Sequence, residues 1–193
     1  MPRNPRTPSH LSAALAALLA LAVTGCGFQL RGAPPVSAAL QPLSVNCDGS
    51  VPFDLCDTLL TQLEEGSIQV VDAAQAAYRV ELNNFSETRR ASAIQLDASA
   101  AEYDLRQSVE INVMSADDVP VLVDAEVRSS EIYSYDETNV LAKRREEEDL
   151  RESLYQRLAQ QAIFRLAPLT AERLEVIRED YEAEQQSDAA ESP

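Results

Sequence analysis

The sequence predicts an α/β domain in which helices cover the one apolar face of a largely antiparallel sheet. Two observations carry this. An apolar-polar alternation with period two recurs through the middle of the chain, and in the last third leucine or alanine returns every four residues. A third feature, an apolar leader that ends in a cysteine, concerns where the domain is delivered.

Element by element, a short strand is expected at Leu43 to Asn46, followed by a turn through Asp48-Gly49-Ser50 and Pro52. From Phe53 to Glu65, the residues Phe53, Leu55, Cys56, Leu59, Leu60 and Leu63 recur at helical spacing, and Gly66 is the expected stop. Ile68 to Val71 reads as a short extended piece. Tyr78, Val80 and Leu82 then alternate with Arg79, Glu81 and Asn83, until Phe85 breaks the phase and predicts a bulge near Asn83-Asn84. The clearest strand is Tyr103 to Val113, with Tyr103, Leu105, Val109, Ile111 and Val113 on one face. A turn at Ala116-Asp117-Asp118 leads into Val119 to Ile132, where Val121, Val123, Ala125 and Val127 are expected inward. The result is a meander with one apolar and one polar face.

The long helix is expected over Asn139 to Leu166, with Leu150, Leu154, Leu158, Ala162 and Leu166 on one stripe. Its acidic run, Glu146 to Asp149, suits the positive helix end if regular helix begins near Arg144; if it begins at Asn139, those acids are simply solvated. Pro168 ends or kinks it. Thr170 to Tyr181 reads as a marginal further helix and Glu182 to Pro193 as disordered.

The leader has Arg3, Arg6 and His10, then an apolar run from Leu11 to Val23, too short for a bilayer span and suited to a secretory signal. Val23-Thr24-Gly25-Cys26 resembles a lipobox, so cleavage is expected before Cys26, with diacylglyceryl and N-acyl lipid on that cysteine. The plainer reading is an ordinary signal with a chance cysteine. Gly27, rather than aspartate, favours the outer membrane. The expected organisation is a signal peptide over 1–25, a lipidated tether over 26–42, a domain over 43–168, and an acidic tail over 169–193 that passes from marginal helix to disorder.

Composition then excludes whole classes of function. The chain has 16 basic and 32 acidic residues, and the leader holds two of the basic and none of the acidic ones. The processed chain would therefore carry a net charge of −18, which repels nucleic acid and anionic lipid except at local basic clusters. The single histidine leaves with the leader, which removes histidine triads and histidine metal sites. All five glycines lie at or before Gly66, so no glycine-rich phosphate loop follows. Asp117-Asp118 and Glu146 to Asp149 lack the spaced ligands of a calcium loop. No enzyme, metal or cofactor is expected. Cys47 and Cys56, in an oxidising envelope, are expected to pair structurally; the redox alternative lacks the two-residue spacing.

Specific residues add a resemblance. Cys26-Gly27-Phe28-Gln29-Leu30-Arg31-Gly32 resembles the mature start of the LptE family of LPS-assembly lipoproteins. Ala101-Glu102-Tyr103-Asp104-Leu105 is similar to its AEYxL strand opening. Arg128, Tyr135-Asp136, Leu141-Ala142-Lys143, Glu147, Tyr155, Ala162 and Arg165-Leu166 are similar to its closing strand and helix. The match spans most of 26–168 and is weak over Ser37 to Ser99.

The resemblance implies a two-layer α/β domain, with two helices packed on one face of a four-stranded mixed or antiparallel sheet. It also implies a partner, the LptD β-barrel, which the lipoprotein plugs for lipopolysaccharide delivery to the outer leaflet. Lys143, Arg144 and Arg145 are then candidates for lipopolysaccharide contact; the alternative has Arg144 and Arg145 pairing with Glu148 and Asp149 on the helix surface. Arg79, Arg106 and Arg128, on the polar sheet face, are candidates for contact with the barrel wall. The competing reading is an outer-membrane lipoprotein that scaffolds another barrel-assembly or envelope-integrity complex.

Overall fold

The computed structural model describes residues 36–94, 100–135 and 139–191. The leader, Cys26 and its lipobox, the first part of the tether, Asp136 and the last two residues lie outside the described residues. The elements are β1 (Leu43–Cys47), α1 (Phe53–Glu65), β2 (Tyr78–Ile94), β3 (Ala100–Ser115), β4 (Pro120–Ser134), α2 (Val140–Leu166) and α3 (Ala171–Glu191). The four strands form one sheet in the order β1-β2-β3-β4. β1 runs parallel to β2, which requires the crossover that α1 supplies. β2, β3 and β4 form the antiparallel meander.

The core lies between the sheet and the two helices α1 and α2. Leu55, Leu59 and Leu63 of α1 meet Leu158, Ala162 and Leu166 of α2 above Val80, Leu82, Val109, Ile111 and Val113 of the sheet. Each fully buried leucine contributes about 1.5–3 kcal/mol relative to exposure. A second cluster, Leu105, Tyr133 and Leu154, sits toward the start of α2, with Tyr103 and Leu150 packed against it. The four-residue repeat of α2 is thus its buried stripe.

Several local expectations are corrected. The α1 stop falls at Gly66, but with φ of −73° that glycine is not the left-handed residue. Ser67 is, at φ 59°, and it lets Ile68 N–H donate to the Leu63 carbonyl. Of Ile68 to Val71, only Val70 makes a bridge, parallel to Leu43. The bulge near Asn84 is present: register shifts between Asn83 and Ser86, and Asn84 has φ 51°.

A second irregularity, not foreseen, lies in β4. Leu122 stands opposite Val113 and Ala125 opposite Ile111, so one extra residue is accommodated between them. Asp124 takes φ 49°, and its N–H donates to Asn112 Oδ1 at 2.8 Å. The expected inward phase therefore holds for Val127 but not for Val123, which is 58% exposed.

The domain also extends beyond both expected limits. Val36 and Leu40, assigned to the tether, are core residues, as are Leu169 and Leu174 beyond Pro168. α3 continues to Glu191, where disorder was expected from Glu182 onward. Its start is tied down by buried Leu174 and by Arg178, which pairs with Asp117 in the β3–β4 turn.

Candidate functional site

Two surfaces carry the residues that the sequence singled out: the open face of the sheet, and the end of the sheet where β4 turns into α2.

On the open face, β2, β3 and β4 present alternate side chains away from the helices. Ser86 pairs with Ser108 and Ser108 with Arg128; Thr88 pairs with Arg106 and Arg106 with Ser130. Arg106 and Arg128 are thus diagonal cross-strand neighbours, and together with Ser86, Thr88, Ser108 and Ser130 they line a shallow depression. Arg106 donates from Nε to Asp104 Oδ2 at 2.6 Å. Arg128 donates from Nε to Glu126 Oε1 at 2.6 Å, and its second nitrogen reaches Glu126 Oε2. The Arg128 hydrogen bond, then its charge, holds the Glu126 carboxyl below its ordinary range.

Arg79 is not part of this group. It stands opposite Met114, eight residues along β3 from Arg106, or about 26 Å at strand rise, and pairs with Asp118. The three arginines share a face, but only two share a site.

At the far end, Lys143 is only 18% exposed; it donates to Ser134 Oγ at 3.2 Å and pairs with Glu146 at 2.7 Å. It joins the first turn of α2 to the end of β4. Arg144 and Arg145 are exposed, and among the described residues neither pairs with Glu148 or Asp149. The helix begins at Val140, so Glu146 to Asp149 lie past its first turn, away from the positive helix end. Nor are those acids all simply solvated.

Glu147 shows why. Its carboxylate, 15% exposed, pairs with Arg151 at 2.5 Å and with Arg89 at 3.6 Å. It also accepts a 2.6 Å hydrogen bond from the Tyr133 hydroxyl. Arg151 reaches on to Glu87 at 2.9 Å, and Glu87 accepts from Gln107 Nε2 at 2.8 Å. The Arg89 guanidinium lies 3.6 Å from the Tyr103 ring centre and 5.4 Å from that of Tyr135, within cation–π range. Burial, then Glu147, pushes the Tyr133 hydroxyl up to about 12.

This network links β2, β3, β4 and α2, and sequence reading missed it. The available signals were the Glu147-Arg151 spacing of four and the facing tyrosines Tyr103 and Tyr133.

Near β1, Cys47 and Cys56 are joined by a disulfide with a Cα separation of 6.3 Å. It ties the end of β1 to the first turn of α1. Chemically, these surfaces offer guanidinium forks, hydroxyls and an ammonium group, which are groups for binding.

A sequence profile of the LptE family, described as Lipopolysaccharide-assembly, matches residues 40–166. The chain belongs to the LptE family. It is 31% identical over 153 residues to the LPS-assembly lipoprotein LptE of Pectobacterium atrosepticum, covering 77% of this chain and 80% of that one. The fold recurs in solved lipoproteins. The rare lipoprotein B of Shewanella oneidensis aligns with a TM-score of 0.56 at 23% identity, over 65% of this chain and 93% of its own. A minor lipoprotein from Acinetobacter baumannii gives 0.56 at 20% identity, over 65% and 90%. Lipoprotein B from Nitrosomonas europaea gives 0.54 at 20% identity, over 74% and 91%. The family match begins at Leu40 and ends at Leu166, so it takes in the whole sheet with α1 and α2 and stops before α3.

Proposed function

We propose that this chain is the lipid-anchored subunit that assembles with, and plugs, an LptD-like outer-membrane β-barrel for lipopolysaccharide delivery to the outer leaflet. Membership in a lipopolysaccharide-assembly family across the whole sheet-and-helix domain is the observation that carries this reading. The anchor is lipid on Cys26, which holds the domain on the periplasmic side of the outer membrane. The role is assembly and transport without catalysis, and it requires no cofactor beyond the covalent lipid.

The open sheet face supports the plug reading. A hydrated barrel lumen is polar, and this face offers arginines and hydroxyls where a second helical layer would need leucines. Arg79, Arg106 and Arg128 would meet acidic or carbonyl groups of the wall, with water filling the gaps, as interfaces of good size commonly allow. Arg144 and Arg145, exposed at the start of α2, and the half-buried Lys143 beside them would meet the phosphates of lipopolysaccharide through charge-assisted hydrogen bonds.

Depletion tests the role. Cells lacking this protein should accumulate misassembled barrel and retain lipopolysaccharide inside the outer membrane. A normally matured barrel and normal surface lipopolysaccharide in depleted cells would refute it.

A further inference from the structure

We infer that the depression in the open sheet face is a subsite for sugar rings, and this inference rests on the reading of the chain as a lipopolysaccharide-handling protein. The depression has a volume of about 380 Å³, within the range of about 300–1,000 Å³ usual for small-ligand sites. Its side chains form two rows that cross three strands: Ser86, Ser108 and Arg128 in one, Thr88, Arg106 and Ser130 in the other. Each row supplies one guanidinium and two hydroxyls. The rows are about 7 Å apart along the strands and their members about 5 Å apart across them, a lattice on the scale of one sugar ring.

The charge arrangement selects among ligands. Each arginine is already paired with a carboxylate two residues earlier on its own strand, Arg106 with Asp104 and Arg128 with Glu126. The cradle is therefore close to neutral, and a phosphate would find two guanidiniums whose charge is already met. Both keep N–H groups to spare: Arg106 is 60% and Arg128 76% exposed at the side chain. Serine and threonine hydroxyls can donate and accept, so the site complements a ligand whose hydroxyls also do both. A sugar seated here would lie between the plug and the barrel wall, with the two guanidinium rims still free to touch that wall.

The test uses the full chain and the triple variant T88V/S108V/S130V, whose β-branched replacements suit exposed strand positions. The probes are intact lipopolysaccharide, its core oligosaccharide freed of lipid A and of phosphate, and inorganic pyrophosphate, each titrated by calorimetry at low and high salt. The expected result is wild-type binding of the oligosaccharide with little dependence on salt, weakened about tenfold or more in the triple variant through the loss of hydroxyl hydrogen bonds. Equal oligosaccharide binding by the two proteins would overturn the inference. So would pyrophosphate binding that falls steeply with salt and survives the three valines, because the arginines would then be holding phosphate. Wild type that binds lipopolysaccharide but not the oligosaccharide removes the sugar subsite alone. Failure to bind lipopolysaccharide at all removes the functional reading beneath it.

Discussion

Replacing Glu147 with alanine tests whether the network between sheet and α2 stabilises the domain. The substitution removes the acceptor of the Tyr133 hydroxyl at 2.6 Å and one of the two carboxylates around Arg151, and among the described residues it leaves Arg89 with its tyrosine contacts. A hydrogen bond to a charged group contributes about 1.5–3 kcal/mol, while the more exposed arginine pairs add less than about 1 kcal/mol each. Arg151 keeps Glu87, so the full penalty of an orphaned buried charge does not apply. The net loss should be about 2 kcal/mol, which for a domain of this size lowers the melting temperature by about 4–8 °C.

Tyr133 supplies an independent readout at the same position. Its ionisation, pushed up to about 12 by burial and by Glu147, should move down in Glu147→Gln yet stay above the ordinary value, because burial persists. A tyrosine whose folded value is raised contributes stability below pH 10 that is lost as pH climbs toward 12. The alkaline unfolding limb of the variant should therefore be shallower. Thermal melts and tyrosinate absorbance against pH measure both effects. A Glu147→Ala protein melting within about 1 °C of wild type would show that the network contributes no net stability.

Three further outcomes are expected. Paired replacement of Cys47 and Cys56 by serine should cost about 2–3 kcal/mol in urea unfolding, as expected for closing so short a loop, and non-reducing peptide mapping of envelope-derived protein should show the two joined. Two free thiols would refute the link. Alanine at Lys143, Arg144 and Arg145 together should weaken lipopolysaccharide binding about tenfold or more, as the loss of charged hydrogen bonds implies, and unchanged affinity would remove this cluster from the contact surface. Cys26→Ser should abolish lipid labelling and leave uncleaved precursor; normal anchoring of that variant would contradict the lipobox reading.

The legible parts of the fold were those in which one physical pattern ran without interruption. β3 shows its period of two because its inward residues are mostly apolar, and α2 shows its stripe because Leu154, Leu158, Ala162 and Leu166 all face the core. Phe85 betrayed its bulge by putting a large apolar group on the wrong parity. The bulge at Asp124 was hidden because Val121, Leu122 and Val123 are apolar in succession, so either phase reads equally well. The upper half of β2 was hidden too, since Glu87 and Arg89 occupy inward positions that a binary pattern assigns to solvent; they fit only because Gln107 and Glu147 meet them there.

α3 was foreseen over Thr170 to Tyr181 but not beyond, and for a different reason. Its acidic second half carries no apolar stripe, and what fixes its start is the tertiary tie from Arg178 to Asp117, 61 residues away in sequence. Of the site residues, Arg106 and Arg128 could be placed on one face from parity alone. That Arg79 lies at the opposite end follows from strand register, which the pattern of side chains does not determine.

Site-specific photocrosslinking in living cells tests the plug most directly. Crosslinkers at Arg106 and Arg128, on the open face, should capture the lipopolysaccharide-assembly barrel, while those at Val109 and Ile111, fully buried between sheet and helices, should capture nothing. Capture of a different envelope protein from the open face, with no barrel adduct, would contradict the account.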